Sequence, residues 1–386
     1  MIEIKTYNKI AKVGLSRFDN KYLVSADAEN PVGAIVRSMD LHSESFPDSL
    51  VAIARAGAGT NNIPTERLTE QGVCVFNTPS ANANAVKELV ILGMLIASRK
   101  VIPAVEWAKG LSGKGADVPK LVEAGKGAFA GPELRGKTLG VVGLGAIGVL
   151  VANAAHHLGM NVLGYDPYLS LQNAWNLSHH IVRAQDISEI YKNSDYITLH
   201  IPLNKDTKGT IGEAAVSAMK QGVRILNFSR DGLVDSEAML SALSSGKVAS
   251  YVVDFPTDEM IGKEGVVCIP HLGASTPESE DNCAVMAANE LIDYIENGNV
   301  TNSVNLPSAV MPRTAEKRIC VIHKNVSGML SAITSAVAYG NVNIENLINK
   351  SRDDYAYTML DVNNCEQNEV EKRLLATDGV IRVRII

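Results

Sequence analysis

The chain has 386 residues, enough for two or three domains that each bury a core. Apolar residues make up 46% and charged residues 20%, which is ordinary globular composition and excludes a disordered chain. The formal net charge of −6 gives nucleic acid or an anionic membrane no overall attraction, so we expect a small-molecule partner and further copies of the chain.

Five scattered cysteines, none in a CxxC pair, argue against a disulfide framework and a thiolate metal site, so we expect no metal. The N-terminal segment MIEIKTYNKIAKVG lacks the apolar stretch of a secretory signal. Residues 138–155 are uncharged, but glycines crowd their first half. We interpret them as a buried strand followed by a buried helix rather than a membrane span. These features predict a cytoplasmic protein.

In chain order, residues 1–78 alternate short apolar runs with helical stretches, and a helix is predicted from residue 84 to about residue 99. Strands are predicted in this first part at residues 9–14, 34–37, 50–55 and 73–77. From residue 138 to 270, apolar runs alternate regularly with helical or turn segments, which is typical of a parallel sheet covered by helices on both faces. These runs are 138–142, 162–165, 195–199, 223–227, 249–254 and 266–270.

The remainder predicts a separate small module. Residues 299–314 are rich in Asn, Ser and Pro and are typical of a linker. Residues 318–386 then give the order strand, helix, strand, strand, helix, strand, a βαββαβ pattern of about 70 residues.

A glycine-rich loop gives the first chemical signal. Gly143, Gly145 and Gly148 form a GxGxxG motif between a predicted strand and a predicted helix, and Asp166 ends the next strand. In this context the first glycine makes a tight turn, the second lets a pyrophosphate approach and the third allows close helix–strand packing. The helix N-terminus favours phosphate binding. The Asp166 carboxylate can accept hydrogen bonds from the ribose hydroxyls and would repel a 2′-phosphate, so the motif favours NAD over NADP.

Polar residues at neighbouring strand ends give the second signal. Arg230, Asp254 and His271 each follow a predicted strand. In a doubly wound sheet the ligand crevice lies at the carboxyl ends of the strands, so we expect these three side chains to converge beside a bound nicotinamide. His200 also ends a strand, and we interpret it as lining the cofactor cleft.

Several motifs then occur in the order found in one known family. GLGAIG, GYDP, LHIPLNKDT, NFSRDGLVD, DFPTDE and PHLGASTPESEDN resemble the D-isomer-specific 2-hydroxyacid dehydrogenases, as do RAGAGTNNI, VFNTP and AVKELV upstream. The tail RICVIHKNVSGML resembles an ACT ligand-binding domain.

The resemblance implies an α/β architecture of three parts. A flavodoxin-like substrate domain is expected from residues 1–85 and 277–303, and a Rossmann-type NAD-binding domain with a doubly wound parallel sheet from residues 86–276. A linker at 304–316 leads to a ferredoxin-like βαββαβ ACT domain at 317–386. The helix at 84–99 is expected to help form a homodimer, with a homotetramer as the alternative.

The resemblance also assigns catalytic roles. Arg230 holds the substrate carboxylate and the C2 oxygen, His271 is the acid/base, and a carboxylate orients His271. The family pattern DVFxxEP is altered here, because one residue is missing before Phe and no Pro follows the acid. Alignment on Phe-Pro-Thr selects Asp258, whereas counting from Arg230 or from Asp254 selects Glu259. We select Glu259, because two spacings agree and Glu has the longer reach.

The cofactor-binding prediction covers residues from six strand-end segments. They are Gly143, Gly145, Ala146, Ile147, Gly148, Asp166, His200, Pro202, Thr207, Asn227, Ser229, Asp254, Gly273 and Ala274.

The combination of this family's motifs with an ACT-like tail resembles family members that act on D-3-phosphoglycerate, so a phosphorylated substrate is expected. Arg55 is the predicted phosphate ligand, and Arg135 is a second candidate. Asn82, together with the amides of Ala56 and Gly57, is predicted to hold the carboxylate in a backbone nest. Two other functions stay open: a dehydrogenase of the glycerate/hydroxypyruvate or lactate type, and a non-enzymatic NAD-sensing protein like the corepressors that share this scaffold.

The ACT resemblance implies L-serine as an effector, held by His323, Asn325 and Asn343. Asn325 precedes a predicted helix N-terminus, where backbone amides can bind the carboxylate of serine. The side-chain carbonyl of Asn343 can accept a hydrogen bond from the amino group of serine. We expect such a site to be completed across a dimer of modules. The alternative is that the module only dimerises.

Overall fold

The computed structural model describes residues 1–339, 342–363 and 365–386. The chain divides into two compact units, Met1–Asn82 with Pro277–Ile386 and Ala83–Thr276. The predicted linker and C-terminal module both belong to the first unit.

The strands are β1 (Ile2–Tyr7), β2 (Tyr22–Ser25), β3 (Gly33–Val36), β4 (Ala52–Arg55), β5 (Cys74–Phe76), β6 (Thr138–Val142), β7 (Asn161–Tyr165), β8 (Val182–Arg183), β9 (Tyr196–Leu199), β10 (Val223–Asn227), β11 (Val248–Val253), β12 (Val266–Cys268), β13 (Lys317–Lys324), β14 (Asn343–Arg352), β15 (Tyr355–Asn363) and β16 (Val380–Ile385). The helices are α1 (Lys12–Leu15), α2 (Thr65–Glu70), α3 (Ala83–Arg99), α4 (Val101–Lys109), α5 (Val118–Gly125), α6 (Ala146–His157), α7 (Leu171–Asn176), α8 (Ile187–Asn193), α9 (Glu213–Ala218), α10 (Ser236–Ser244), α11 (Pro277–Asn297), α12 (Met329–Ala338) and α13 (Gln367–Leu375).

The first unit contains a five-stranded parallel sheet in the order β2-β1-β3-β4-β5, the flavodoxin-like order that we expected. α11 packs on one face of this sheet, with Ala288, Leu291 and Tyr294 fully buried. The predicted strand at residues 9–14 is wrong, because the strand is β1 and α1 occupies part of the predicted range. β1 is half-exposed and carries Glu3 and Lys5, so it has no continuous apolar run to reveal it.

The second unit contains a seven-stranded parallel sheet in the order β12-β11-β10-β9-β6-β7-β8. This is a doubly wound Rossmann-type order, with separate apolar clusters on its two faces. Residues 138–155 form β6 and most of α6, as predicted, and no helix among the described residues has the length and apolarity to cross a bilayer.

The C-terminal module is a four-stranded antiparallel sheet in the order β14-β15-β13-β16, with α12 and α13 on one face. The βαββαβ prediction is therefore confirmed. The opposite face of the sheet belongs to the core of the first unit, where Cys320, Ile322, Tyr357 and Met359 share a cluster with Phe76.

Arginines of the module also bind backbone carbonyls beside it. The Arg384 Nη2 donates to the Tyr294 and Ile295 oxygens at 3.0 and 2.9 Å, and the Arg318 Nη1 donates to the Asn297 oxygen at 2.8 Å. These carbonyls form the last turn of α11, where positive side chains are favoured by the helix dipole. The Arg318 guanidinium is itself buried and paired with the Asp361 carboxylate at 2.6 Å.

Candidate active site

The glycine loop between β6 and α6 has the shape that a dinucleotide requires. Gly143 has a φ of +92°, and a Cβ there would lie 2.4 Å from the His200 carbonyl oxygen. A Cβ at Gly148 would lie 1.9 Å from the Gly143 oxygen, so only glycine lets the helix approach this closely. At Gly145 a Cβ would meet open space, which is where a pyrophosphate would approach the N-terminus of α6.

Asp166 follows β7 and folds back onto this loop. Its Oδ2 accepts the Leu144 N–H and its Oδ1 accepts the Tyr168 N–H, both at 2.8 Å. Each oxygen keeps a lone pair for a further donor, so the carboxylate can accept hydrogen bonds from ribose hydroxyls. Ala146 and Ile147 form the first turn of α6, next to the same loop.

Three further predicted cofactor residues lie beyond β9, at the same edge of the sheet as the glycine loop. The His200 Nε2 lies 3.0 Å from the Thr198 Oγ1, and its Nδ1 is buried without a hydrogen-bond partner among the described residues. Burial lowers the pKa of His200 to about 3, so the ring is neutral. The Thr207 Oγ1 donates to the Pro202 oxygen at 2.6 Å, which shapes the loop that follows.

The end of β10 presents Arg230 on a fixed turn. The Ser229 Oγ donates to the Leu199 oxygen at 2.6 Å, and the Asn227 Nδ2 donates to the Arg230 oxygen at 2.9 Å. The guanidinium is exposed, with its carbon 5.9 Å from the centre of the Phe255 ring. Arg230 is therefore available to an anionic ligand at the carboxyl edge of the sheet.

Asp254 ends β11 in an unusual environment. Its side chain is 1% exposed, and neither carboxylate oxygen has a hydrogen-bond partner within the described residues. Burial raises the pKa of Asp254 to about 6, partly opposed by Arg230. A buried carboxyl without a donor suits a ligand amide, and Gly273 leaves room beside it, since a Cβ there would lie 3.7 Å from the Asp254 Oδ2. Ala274 follows in the same turn.

His271 follows β12 and packs on Phe255, with ring centres 4.4 Å apart. Partial burial and then the positive charge of Arg230 lower the pKa of His271 below its usual value. A neutral imidazole beside an arginine can accept a proton from a substrate hydroxyl.

The predicted orienting carboxylate does not contact His271 here. Asp258 and Glu259 are both exposed in the turn after β11, and no ion pair joins either of them to His271 among the described residues. The choice between them stays a prediction.

In the first unit, Arg55 ends β4 at the carboxyl edge of the five-stranded sheet. Its Nε donates to the Arg37 oxygen at 3.0 Å, and its Nη1 donates to the Gly59 oxygen. Burial and then the nearby Arg37 charge lower the pKa of Arg55, and no carboxylate pairs with it among the described residues. A half-buried arginine without a counter-ion is suited to an anionic ligand.

Arg37 is a further residue of this edge that was not predicted from the sequence. It follows β3 as Arg55 ends β4, so the same strand-end signal was present. Its Nη2 lies 2.6 Å from the Glu280 Oε1 in the first turn of α11, and both side chains are 42% exposed. Two arginines therefore lie at adjacent strand ends of this sheet.

The predicted backbone nest is wrong. The Ala56 N–H donates to the Val36 oxygen at 2.8 Å, and the Gly57 N–H donates to the Arg55 oxygen at 2.9 Å. Neither amide is free for a carboxylate. Asn82 lies half-buried in the turn before α3, and its role in binding the carboxylate stays a prediction.

Arg135 likewise does not lie where its predicted role requires. It precedes β6, and its side chain packs on Gly159, which precedes β7. Arg135 therefore lies at the amino edge of the sheet, whereas the glycine loop lies at the carboxyl edge, and it does not line the crevice of its own chain.

The three predicted effector residues do not form one site within a single module. His323 is 2% exposed, and its Nδ1 and Nε2 lie 2.8 Å from the Lys324 oxygen and the Thr358 Oγ1. Asn325 and Asn343 are exposed, but at opposite ends of the sheet, because Lys324 pairs with Tyr355 and Asn343 pairs with Asn363. The two ends are about 27 Å apart along β15. No group of potential metal ligands occurs within the described residues.

The glycine loop, the acid after β7, and the Arg–Asp–His set after β10, β11 and β12 define a class of nicotinamide-dependent dehydrogenase. Residues 93–273 match the family model "D-isomer specific 2-hydroxyacid dehydrogenase, NAD binding domain". The chain belongs to the D-isomer-specific 2-hydroxyacid dehydrogenase family, and this segment is its NAD-binding domain.

Among curated relatives, the chain is similar to D-3-phosphoglycerate dehydrogenases. That of Escherichia coli K12 is 33% identical over 356 residues, which cover 88% of this chain and 82% of the relative. That of Methanocaldococcus jannaschii is 34% identical over 78% of this chain, but the chain spans only 56% of that relative's length. The solved NAD⁺-bound 3-phosphoglycerate dehydrogenase of Entamoeba histolytica matches with a TM-score of 0.58 and 26% identity, over 79% of this chain and 98% of that one.

Proposed function

We propose that the chain catalyses the NAD-dependent oxidation of D-3-phosphoglycerate to 3-phosphohydroxypyruvate, the first step of L-serine synthesis. The observation that carries the proposal is the gathering of the glycine loop, Arg230, Asp254 and His271 at the carboxyl edge of one sheet. The names of its relatives support the choice of substrate.

The residues present fit NAD. The open space at Gly145 and the N-terminus of α6 suit the pyrophosphate, and Asp166 suits the ribose. The Asp254 carboxyl, which has no hydrogen-bond partner in the part of the chain that the structure describes, suits the nicotinamide amide. When bound, the nicotinamide supplies the acceptor for the hydride that leaves C2.

His271 accepts the proton of the C2 hydroxyl while the hydride leaves C2. The alcohol therefore becomes a carbonyl without a charged alkoxide building up. The lowered pKa of His271 keeps the ring neutral and ready to accept. The exposed Arg230 guanidinium binds the substrate carboxylate and the C2 oxygen, which orients the hydroxyl toward the imidazole. We assign the positioning role to Glu259, which is exposed in the turn after β11 and would have to approach His271 to stabilise the protonated ring.

Arg55 holds the phosphate. No carboxylate of the described residues pairs with it, which supports this role, and Arg37 at the neighbouring strand end adds a second positive charge. A phosphate that carries close to two charges needs such cations in addition to Arg230.

A substrate panel with NAD⁺ tests the proposal. D-3-phosphoglycerate is expected to give NADH with a kcat/KM at least ~100-fold above that of D-glycerate and D-lactate. Substrates without the phosphate lose the charge-assisted hydrogen bonds to the Arg55 guanidinium. Preference for an unphosphorylated acid would identify the glycerate/hydroxypyruvate or lactate type. NAD binding without turnover of any of them would identify a corepressor-like protein.

We further propose that L-serine inhibits the reaction through the C-terminal module. The opposite placement of Asn325 and Asn343 supports a site shared by two modules, with each end of the sheet contributing one residue. Inhibition by serine that disappears in Asn343→Ala, with uninhibited kcat retained, is the expected result. Absence of calorimetric binding at millimolar serine would leave the module as an oligomerisation device.

A homodimer or homotetramer is proposed as the working form. Support comes from exposed apolar side chains on α3 and α4, where Leu92, Leu95, Val101 and Val105 are each more than 40% exposed, and from β14, whose outer edge is unpaired in the sheet. Five free thiols support a cytoplasmic location. Sedimentation analysis gives the assembly size directly.

A further inference from the structure

A groove of about 510 Å³ lies within the first unit, between the loop after α11 and the end of β14. None of its lining residues is among those placed in the reaction. Its lining residues share hydroxyl, amide or cationic groups over a small apolar base, and none is acidic: Thr301, Asn302, Ser303, Leu306, Pro307, Ser308, Lys350, Ser351 and Arg352.

The loop side of the groove is rigid. Ser303 anchors it, because its Oγ donates to the Val75 oxygen at 3.1 Å and accepts the Leu306 N–H at 3.0 Å. Leu306 is 1% exposed and gives the groove a fixed apolar base. Asn302 has a φ of +58° and its Nδ2 donates to the Glu290 Oε1 at 2.7 Å, so the turn is held from behind.

The strand side supplies the charge. The Arg352 Nη1 donates to the Ser303 oxygen at 3.1 Å, which holds the guanidinium at the groove and leaves its other N–H groups available. Lys350 has no ion pair with any described residue. The Asp353 carboxylate is 4.0 Å from the Arg352 Nε and 89% exposed, so it screens the arginine only weakly.

The carboxyl behind the loop does not cancel this charge. Glu290 is 8% exposed, and burial raises its pKa to about 8, so at neutral pH the group is mostly protonated. The groove therefore presents two cations and the hydroxyls of Thr301 and Ser351, with no ionised acid at its base.

We propose that this groove binds a small phosphate monoester or free phosphate, with Lys350 and Arg352 on its charge and the Thr301 and Ser351 hydroxyls on its remaining oxygens. Tetrahedral oxygens reach donors on both walls, and the volume leaves room for a short organic body against Leu306 and Pro307. Because its walls come from the substrate-domain loop and from β14, a bound anion joins the module to that loop and stabilises their packing.

Hydrogen-exchange mass spectrometry of the full chain, with about 10 mM inorganic phosphate against chloride at equal ionic strength, tests the proposal. Phosphate is expected to slow exchange in peptides covering 299–309 and 348–354. Lys350→Ala with Arg352→Ala abolishes this protection, while Lys372→Ala, an exposed lysine on α13, retains it.

Since Arg352 also holds the Ser303 carbonyl, Lys350→Gln serves as the milder variant and is expected to weaken phosphate binding about tenfold. A parallel titration with glycerol 3-phosphate separates an ester from free phosphate, according to which binds more tightly. Absence of protection in the unsubstituted chain, or equal protection in the Lys350 and Arg352 variants, would overturn the proposal.

Discussion

At the residue scale, the open question of the reaction is which carboxylate positions His271. His271→Ala is expected to lower kcat at least ~100-fold with NAD binding retained. Glu259→Gln is expected to cost less and to move the pH–rate profile to lower pH, because an anionic neighbour raises the pKa of an imidazole. The profile of Asp258→Asn is the matched control. If that variant shows the shift and Glu259→Gln does not, the choice of Glu259 is wrong.

A second residue-scale prediction concerns Glu290, which is buried in α11. Its pKa is raised from 4.5 to about 8, so between these values the folded chain holds a proton that the unfolded chain releases. Stability from this group is therefore complete below pH 4.5 and falls as pH rises toward 8.

Glu290→Gln keeps the hydrogen bond from Asn302 and removes this titration. We expect the difference in unfolding free energy between Glu290→Gln and the unsubstituted chain to grow from pH 5.5 to 8, by at most about 1.4 kcal/mol per pH unit. Denaturant unfolding across this range measures it. A difference that stays constant with pH would mean that Glu290 is already ionised in the folded chain.

Residue placement could be predicted from sequence where a strand end determines it, and not where a tertiary partner does. Arg230, Asp254 and His271 follow strands of one parallel sheet, so their shared edge follows from the order of the strands. The prediction that the Ala56 and Gly57 amides bind a carboxylate was wrong, because both already donate to carbonyl oxygens of β3 and β4. Arg135 failed because nearness in sequence to the glycine loop places it at the other end of β6.

At the element scale, two glycines at the start of α6 play different roles and give a matched pair of variants. A Cβ at Gly148 would collide with the Gly143 oxygen at 1.9 Å, whereas a Cβ at Gly145 would meet open space. Gly145→Ala is expected to keep the melting temperature and to weaken NAD binding at least ~10-fold, since the methyl group occupies the pyrophosphate approach.

Gly148→Ala is expected to lower the melting temperature, because the helix must move away from the loop. Calorimetry with NAD and thermal unfolding separate the two effects. Normal NAD affinity in Gly145→Ala would show that the pyrophosphate does not approach this glycine.

Strands with buried apolar runs could be predicted to within a residue or two, as for β6 and β10. β1, β2 and β8 could not, because β1 and β2 are half-exposed with charged or polar positions and β8 has only two residues. Periodicity reports burial, so an element that is only partly buried leaves a weak pattern.

At the scale of the whole molecule, the C-terminal module is part of the core of the first unit rather than an appendage. Its sheet covers Phe76, and Arg318 and Arg384 bind the last carbonyls of α11. The sequence predicted the module but not this packing, because an outer sheet face has the same alternation whether solvent or another domain covers it.

A chain shortened to end at residue 316 tests this packing. Its removal exposes apolar surface around Phe76 and leaves the α11 carbonyls without their arginines, so we expect aggregation or a melting temperature lower by at least ~10 °C. Thermal unfolding and light scattering measure both effects. A shortened chain with an unchanged melting temperature and full activity would contradict an integral role for the module.

The proposed function requires a phosphorylated substrate whose phosphate binds Arg55. The most direct test is the ratio of kcat/KM for D-3-phosphoglycerate to that for D-glycerate, measured with NAD⁺ in the unsubstituted chain, Arg55→Lys and Arg55→Ala. We expect a ratio of at least ~100 that falls at least ~10-fold in Arg55→Ala and less in Arg55→Lys, with the D-glycerate rate nearly unchanged. A ratio near one in the unsubstituted chain, or a ratio that Arg55→Ala leaves intact, would contradict it.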